Sequence, residues 1–190
     1  MAATCASRAD IDLPLYKDEA MTGTTNHALR SLMLAKNCFP LQDTFEKTKK
    51  LADDGLDWYF MQCSMLVNVE GISRFGAMLA NDGINPTTGE RIIEAPTVKA
   101  VVTFMSTSGM YDVAGKFMKD YGIPTKSGVS GALLTVVPGI GSIGSFSPLL
   151  NEEGNSIRGI GMIEKLSKIY LNFNLFYKDQ SKRDFTRRGF

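Results

Sequence analysis

The sequence predicts an α+β fold: a cluster of helices, a short antiparallel sheet, and a C-terminal helix that covers the sheet. Three observations predict it. Ala132–Val137 and residues 143–146 are short apolar runs separated by Pro138-Gly139-Ile140-Gly141, the pattern of a hairpin with a multi-residue turn. Several upstream segments, and one downstream, repeat apolar residues at the helical period. No strand alternates with a helix in the manner of βαβ units, so a parallel sheet is not expected.

Residues 1–24 carry little periodicity, and Thr22-Gly23-Thr24-Thr25 reads as a loop closing on a helix N-cap. From residue 26 to 36, Ala28, Leu29, Leu32, Met33 and Ala35 fall on one helical face, and Asn37 and Pro40 supply the stop. Residues 42–54 oppose Lys47, Lys49 and Lys50 with Asp43, Glu46, Asp53 and Asp54, which predicts a solvated surface insertion or helix. Residues 56–67, with Trp58, Tyr59, Phe60, Met61, Met65 and Leu66, read as a central helix buried on most sides.

Residues 70–81 form a further helix through Ile72, Phe75, Gly76 and Leu79, stopped by Asn81-Asp82-Gly83 and Asn85-Pro86. Helices follow over 97–105 and 112–121, the second ended by Gly122. Lys126-Ser127-Gly128-Val129 reads as extended chain opening a strand, with Ser127 and Val129 on one face and Lys126 on the other. Gly128 there lets another group approach the backbone. The last helix opens after Asn151-Glu152-Glu153-Gly154-Asn155-Ser156, capped by Asn and Ser, and runs through Ile160, Ile163, Leu166, Ile169 and Tyr170. A two- or three-stranded sheet leaves its edges unpaired, so a further strand is expected from another segment or chain.

Composition narrows the function. The 190 residues have the length of one domain, and a formal net charge of +1 gives no electrostatic bias toward nucleic acid or an anionic membrane. The basic residues of Ser181-Lys182-Arg183 and Arg187-Arg188 close the chain, and 179–190 reads as a solvated charged tail after a domain over 1–178. Cys5, Cys38 and Cys63 have neither the number nor the spacing of a disulfide framework or zinc site, which predicts a reducing, intracellular location. His27 is the single histidine, so neither a metal site nor a histidine-based triad is expected; it reads as a helix-surface or core residue. No signal-peptide core precedes the domain and no apolar run reaches membrane-spanning length.

Lys126-Ser127-Gly128 resembles the K-T-G element of serine β-lactamases and penicillin-binding proteins. The wider order of Ser108-Gly109-Met110-Tyr111-Asp112, Gly122-Ile123-Pro124-Thr125-Lys126-Ser127-Gly128-Val129, Val137-Pro138, Ser147-Pro148 and Gly154-Asn155-Ser156 resembles the C-terminal half of the serine-dependent glutaminases. Gln62-Cys63-Ser64 and the run from Leu79 through Asn85-Pro86 to Gly89-Glu90-Arg91 resemble the middle of that family. The likeness covers residues 17–188, and 172–188 is similar to the animal, kidney-type branch.

The resemblance implies a β-lactamase/penicillin-binding type of fold: a five-stranded antiparallel sheet flanked by helices, whose N-terminal strands lie in a part not contained in these residues. It implies hydrolysis of L-glutamine to L-glutamate and ammonia without a cofactor, assembly as a homo-oligomer or with a larger protein, and a mitochondrial address. Such catalysis needs a serine activated by a lysine one helical turn away, S-x-x-K. No lysine here has a serine three residues before it; the nearest imitation is Thr44-Phe45-Glu46-Lys47.

The remaining site residues match position by position. Glu19 and Asn26 match the acidic and amide residues that hold the α-ammonium and α-carboxylate of the substrate, although Thr24-Thr25 replaces the charged pair expected before Asn26. Tyr59 and Tyr111 match the two active-site tyrosines of this half, whose phenols relay protons or stabilise developing charge. Val129 matches a residue whose backbone N–H forms half of an oxyanion hole, with Gly128 keeping that amide approachable. Lys126 and Ser127 line the pocket without acting as base and nucleophile, since neighbours on a strand point to opposite faces. Gly131-Ala132 departs from the family's usual two glycines, with a methyl that would crowd the site. Two functions follow: the C-terminal part of a glutaminase, or a catalytically inactive structural or regulatory subunit that retains the fold.

Overall fold

The computed structural model describes residues 10–170 and 173–176. Cys5 and the tail expected over 179–190 lie outside the described residues. The chain divides into two compact units, Arg8–Val67 and, for the described remainder, a unit that begins at Asn68.

In the first unit a two-residue ladder pairs β1 (Asp10–Ile11) with β2 (Met65–Leu66), antiparallel. Helix α1 (Leu13–Thr22) starts where the Asp12 carboxylate accepts from Leu15 N–H and Pro14 occupies the first turn. It lies in the stretch of little apolar periodicity, and the loop expected at 22–25 is reduced to Gly23. Gly23 alone separates it from α2 (Thr24–Ala35): a Cβ there would lie 2.8 Å from the Phe60 ring, so only glycine fits the corner. The charged window and the aromatic stretch form one helix, α3 (Phe45–Cys63), capped by the Thr44 hydroxyl. Its outer face carries the i,i+4 pairs Lys49–Asp53 and Lys50–Asp54, as mixed charge predicts.

The burial on most sides expected for residues 56–67 does not hold. Phe60 and Ala52 are buried, but Trp58 is 65% and Tyr59 48% exposed. Within its own unit α3 packs chiefly on α1 and α2, and one packing face cannot enclose a fully apolar turn.

The second unit is a three-stranded antiparallel sheet between helices, order β3 (Thr125–Ser127), β4 (Ala132–Val137), β5 (Gly141–Phe146). Before it come α4 (Val69–Ala80), capped by Asn68, α5 (Ala95–Ser108), a single 3₁₀ turn at Tyr111–Val113, and α6 (Ala114–Tyr121), ended by Gly122 at φ +65°. After it comes α7 (Ile157–Ile169), capped by the Ser156 hydroxyl on Gly159 N–H. The β4–β5 turn has Pro138 and Gly139 at its centre, Gly139 at φ +74°, closed by Ile140 N–H on Val137 C=O at 3.0 Å.

The period of two along β4 builds two cores. Leu133 and Val137 pack with Met110, Phe117, Ile123 and Ile163, bringing α6 and α7 onto one face. Val136 and Leu134 pack with Met78, Leu79, Val98 and Met105, so α4 and α5 cover the other face, which the sequence left open. The approach of α4 to β5 rests on small residues: a Cβ on Gly76 would lie 2.6 Å from Ser142 Cβ, and Ser73 Oγ accepts from Gly144 N–H at 3.0 Å.

Lys126-Ser127-Gly128-Val129 corrects one expectation. It ends β3 rather than opening a strand, and Val129 sits in the turn that leads to β4. Gly128 N–H bonds to Ala132 C=O and Gly131 N–H to Gly128 C=O, both at 2.9 Å, closing the turn around Val129 and Ser130. Val129 therefore does not share a strand face with Ser127; it is 70% exposed, while Ser127 is buried at 1%.

Candidate active site

The expected site residues fall in both units. In the first, Asn26 from the start of α2 and Tyr59 from α3 line one cavity of about 380 Å³ with Leu29, Met33, Phe39 and Leu56. Glu19 lies on the last turns of α1 with its carbonyl accepting from Gly23 N–H at 2.9 Å, and its side chain is half-buried. A second hollow is charged: Arg30 bridges Asp53 at 3.0 Å, and Tyr16 donates to Asp57. The Lys49 ammonium, opposed in part by burial and aided by Arg30, holds the Asp53 carboxyl below its ordinary value; the bond to Asp57 raises the Tyr16 phenol. His27 Nε2 lies 2.9 Å from Ala20 C=O and its ring packs on Phe60 at 5.6 Å, which gives it a structural place.

In the second unit, Tyr111, Lys126, Ser127, Gly128 and Val129 come together at the end of β3. Tyr111 has φ +54°, a left-handed conformation that costs an aromatic residue of order 1 kcal/mol and marks a place where surrounding contacts dictate the backbone. Its hydroxyl donates to Ser127 C=O at 3.3 Å, and the Lys126 ammonium lies 4.9 Å from its ring centroid while donating to the same carbonyl. Lys126 and Tyr111 are thus joined through one acceptor, whose two lone pairs serve both donors. The Ser127 hydroxyl is buried without a protein partner among the described residues.

The Val129 N–H makes no hydrogen bond among the described residues, as an oxyanion donor requires. A Cβ on Gly128 would meet nothing nearer than Ser130 Oγ at 3.6 Å, so packing within the chain does not demand the glycine. Gly131 is different: it stands at φ +95°, and a Cβ would lie 2.6 Å from Pro148 Cα. Of the expected glycine pair, the one kept here is the one the backbone requires, and the Ala132 methyl sits on β4 opposite Phe146.

Sequence reasoning missed the role of Gly154 and Asn155 here, which it read as a helix cap. Gly154 lies against the Tyr111 ring, where a Cβ would come within 3.6 Å of Cε2 and 3.9 Å of Val129 Cγ1. Asn155 Nδ2 donates to Met110 C=O at 3.3 Å. Among the described residues no cluster of three His, Cys, Asp or Glu is placed to hold a metal ion, and no helix is long and apolar enough to cross a membrane.

The sequence model of the Glutaminase family matches residues 1–176. The chain belongs to the glutaminase family. It is similar to the glutaminase of Clostridium tetani (strain Massachusetts / E88), 43% identical over 162 residues, covering 85% of this chain and 50% of that protein. The glutaminase of Microcystis aeruginosa (strain NIES-843 / IAM M-2473) is 40% identical over 175 residues, 92% of this chain and 49% of that protein. Among solved structures, Mglu in its glutamate form superposes with a TM-score of 0.79 at 36% identity, covering 93% of this chain and 38% of that one. The probable glutaminase ybaS also gives 0.79, at 33% identity over 90% of this chain and 52% of the other. These glutaminase neighbours share the β-lactamase-like fold expected from the sequence. The chain spans about half the length of the curated glutaminases it matches.

Proposed function

We propose that these residues form the C-terminal part of a glutaminase site, which hydrolyses L-glutamine to L-glutamate and ammonia once a serine and lysine are supplied from outside residues 1–190. The observation that carries the reading is the family match over 1–176 together with the absence of any S-x-x-K. The supplied serine oxygen attacks the side-chain amide carbon while its proton passes to the base. The amide nitrogen leaves as ammonia after taking a proton, and water then cleaves the acyl ester to glutamate.

In this scheme Glu19 accepts from the α-ammonium, Asn26 donates to the α-carboxylate, and Tyr59 contributes its phenol to the cavity that it lines with Asn26. Tyr111 carries a proton or stabilises developing charge, and the Val129 N–H, unengaged among the described residues, stabilises the oxyanion. Lys126, Ser127 and Gly128 line the pocket.

The apolar residues exposed on the first unit outside that cavity, including Leu32, Leu41, Phe45 and Trp58, support association with the complementary half of a glutaminase domain, and homo-oligomerisation of the assembled protein belongs to the same reading. The kidney-type resemblance of 172–188 adds a mitochondrial location, which subcellular fractionation tests. Equilibrium binding of labelled glutamate tests the site itself. The chain mixed with a separately expressed N-terminal half that carries S-x-x-K binds glutamate, and E19Q or N26A weakens binding at least about tenfold through loss of a charge-assisted bond. Tight complex formation with no glutamate binding would favour the inactive, structural subunit.

A further inference from the structure

We infer that Asn155 is a positioning residue for Tyr111: by holding the Met110 carbonyl it keeps Tyr111 in the left-handed conformation from which ring and hydroxyl reach Lys126 and Ser127. An L-aromatic residue rests at φ +54° only when the flanking peptide groups are fixed. Both preceding carbonyls are fixed. Gly109 C=O accepts from Ser127 N–H at 2.8 Å, which anchors it to β3, and Met110 C=O accepts from Asn155 Nδ2 at 3.3 Å. The Met110 side chain is buried at 1%, so the residue before Tyr111 cannot swing to relieve the strain.

Asn155 is itself a rigid reference. It is 0% exposed, its N–H donates to Asn151 Oδ1 at 2.8 Å, and its C=O accepts from Asn151 N–H at 2.9 Å. The next residue, Ser156, caps α7 and donates to Ser147 C=O at 2.9 Å, tying the turn to the end of β5. The partner of Asn155 is a carbonyl, so the side chain must present its amide nitrogen; an acceptor-only group of the same shape would not serve. Gly154, at φ +87°, belongs to the same turn and faces the ring, where a Cβ on it would lie 3.6 Å from Tyr111 Cε2. Sheet and helix thus converge through Asn155 on the backbone that aims Tyr111.

The structural part of this inference stands on the chain alone, and its effect on turnover rests on the glutaminase reading. Proton NMR of the full chain reads the first: the Lys126 side-chain methylenes, beneath the ring current of Tyr111, resonate upfield of exposed lysines. In N155A that shift is lost while the amide signals of β4 and α7 stay in place. If N155A does not fold, Asn155→Ser, too short to reach the Met110 carbonyl, replaces it with the same expectation. A folded variant that keeps the shifted Lys126 signals overturns the inference. In the reconstituted complex the variant lowers kcat on the order of 10²-fold, as expected for a displaced catalytic group, with KM within about twofold. An equal rise in KM with kcat unchanged also overturns it. Absence of turnover in the unsubstituted complex speaks against the glutaminase reading and leaves the NMR result to decide the role of Asn155.

Discussion

Replacing Gly131 with alanine separates two costs that a glycine in a turn conceals. At φ +95° any L-side chain is strained, about 1–2 kcal/mol for alanine. The added Cβ would also press on the Ser147 carbonyl and come within 2.6 Å of Pro148 Cα, both main-chain atoms that cannot rotate away. Relief requires this segment to move, which breaks the 2.9 Å bond from Ser147 N–H to Gly131 C=O, worth about 1 kcal/mol net. G131A should therefore cost about 2–4 kcal/mol. Gly139 is the control: φ is +74° but nothing lies within 4 Å of a Cβ, so G139A should cost only about 1 kcal/mol. Urea denaturation followed by far-UV circular dichroism measures both, because the single tryptophan, Trp58, reports on the other unit. Equal losses for the two variants would refute the steric argument, and with it the tight β3–β4 turn that presents the Val129 amide.

Three further outcomes are expected. Phe60 is 1% exposed and packs on His27 and Gly23, so F60A should cost about 3–5 kcal/mol in the same urea experiment, with a loss under 1 kcal/mol showing that the first unit is packed otherwise. Asp53 has its folded carboxyl lowered by Lys49, so its contribution is present above the unfolded carboxylate value near 3.8 and is lost as pH falls through the lower folded value; D53N should flatten the acid limb of the stability profile there, and an unchanged limb would contradict the pairing. Ser127 buries a hydroxyl with no protein partner among the described residues, so S127A should be neutral or stabilising by up to about 1 kcal/mol and should leave reconstituted turnover within about tenfold; loss on the order of 10⁶ would make Ser127 the nucleophile.

The hairpin was legible because both of its signals are local: the short apolar run along β4 and Pro138-Gly139 at the turn. Gly122 and Ser156 were legible as a helix end and a helix start for the same reason. Helix α1 was not, although Asp12-Leu13-Pro14 is a start signal, because the helix buries no residue fully and its apolar pattern is correspondingly weak. The fusion of the charged and aromatic stretches into α3 is not legible in the sequence because composition changes midway while the backbone period does not. Resemblance supplied the site residues, but their conformations arise from distant contacts. The left-handed Tyr111 depends on Asn155, more than forty positions away in the chain. Likewise, Lys126 meets Tyr111 only because β3 lies beside the turn after α5.

Ammonia release from L-glutamine is the most direct test of the central claim. The chain alone should show none, since loss of the activated nucleophile forfeits on the order of 10⁶ in kcat and the remaining donors leave about 10³ over water. An equimolar mixture with an N-terminal half that carries S-x-x-K should release ammonia, and Y111F in this chain should suppress it. Robust turnover by the chain alone, or silence from a complex shown to be assembled, would contradict the account.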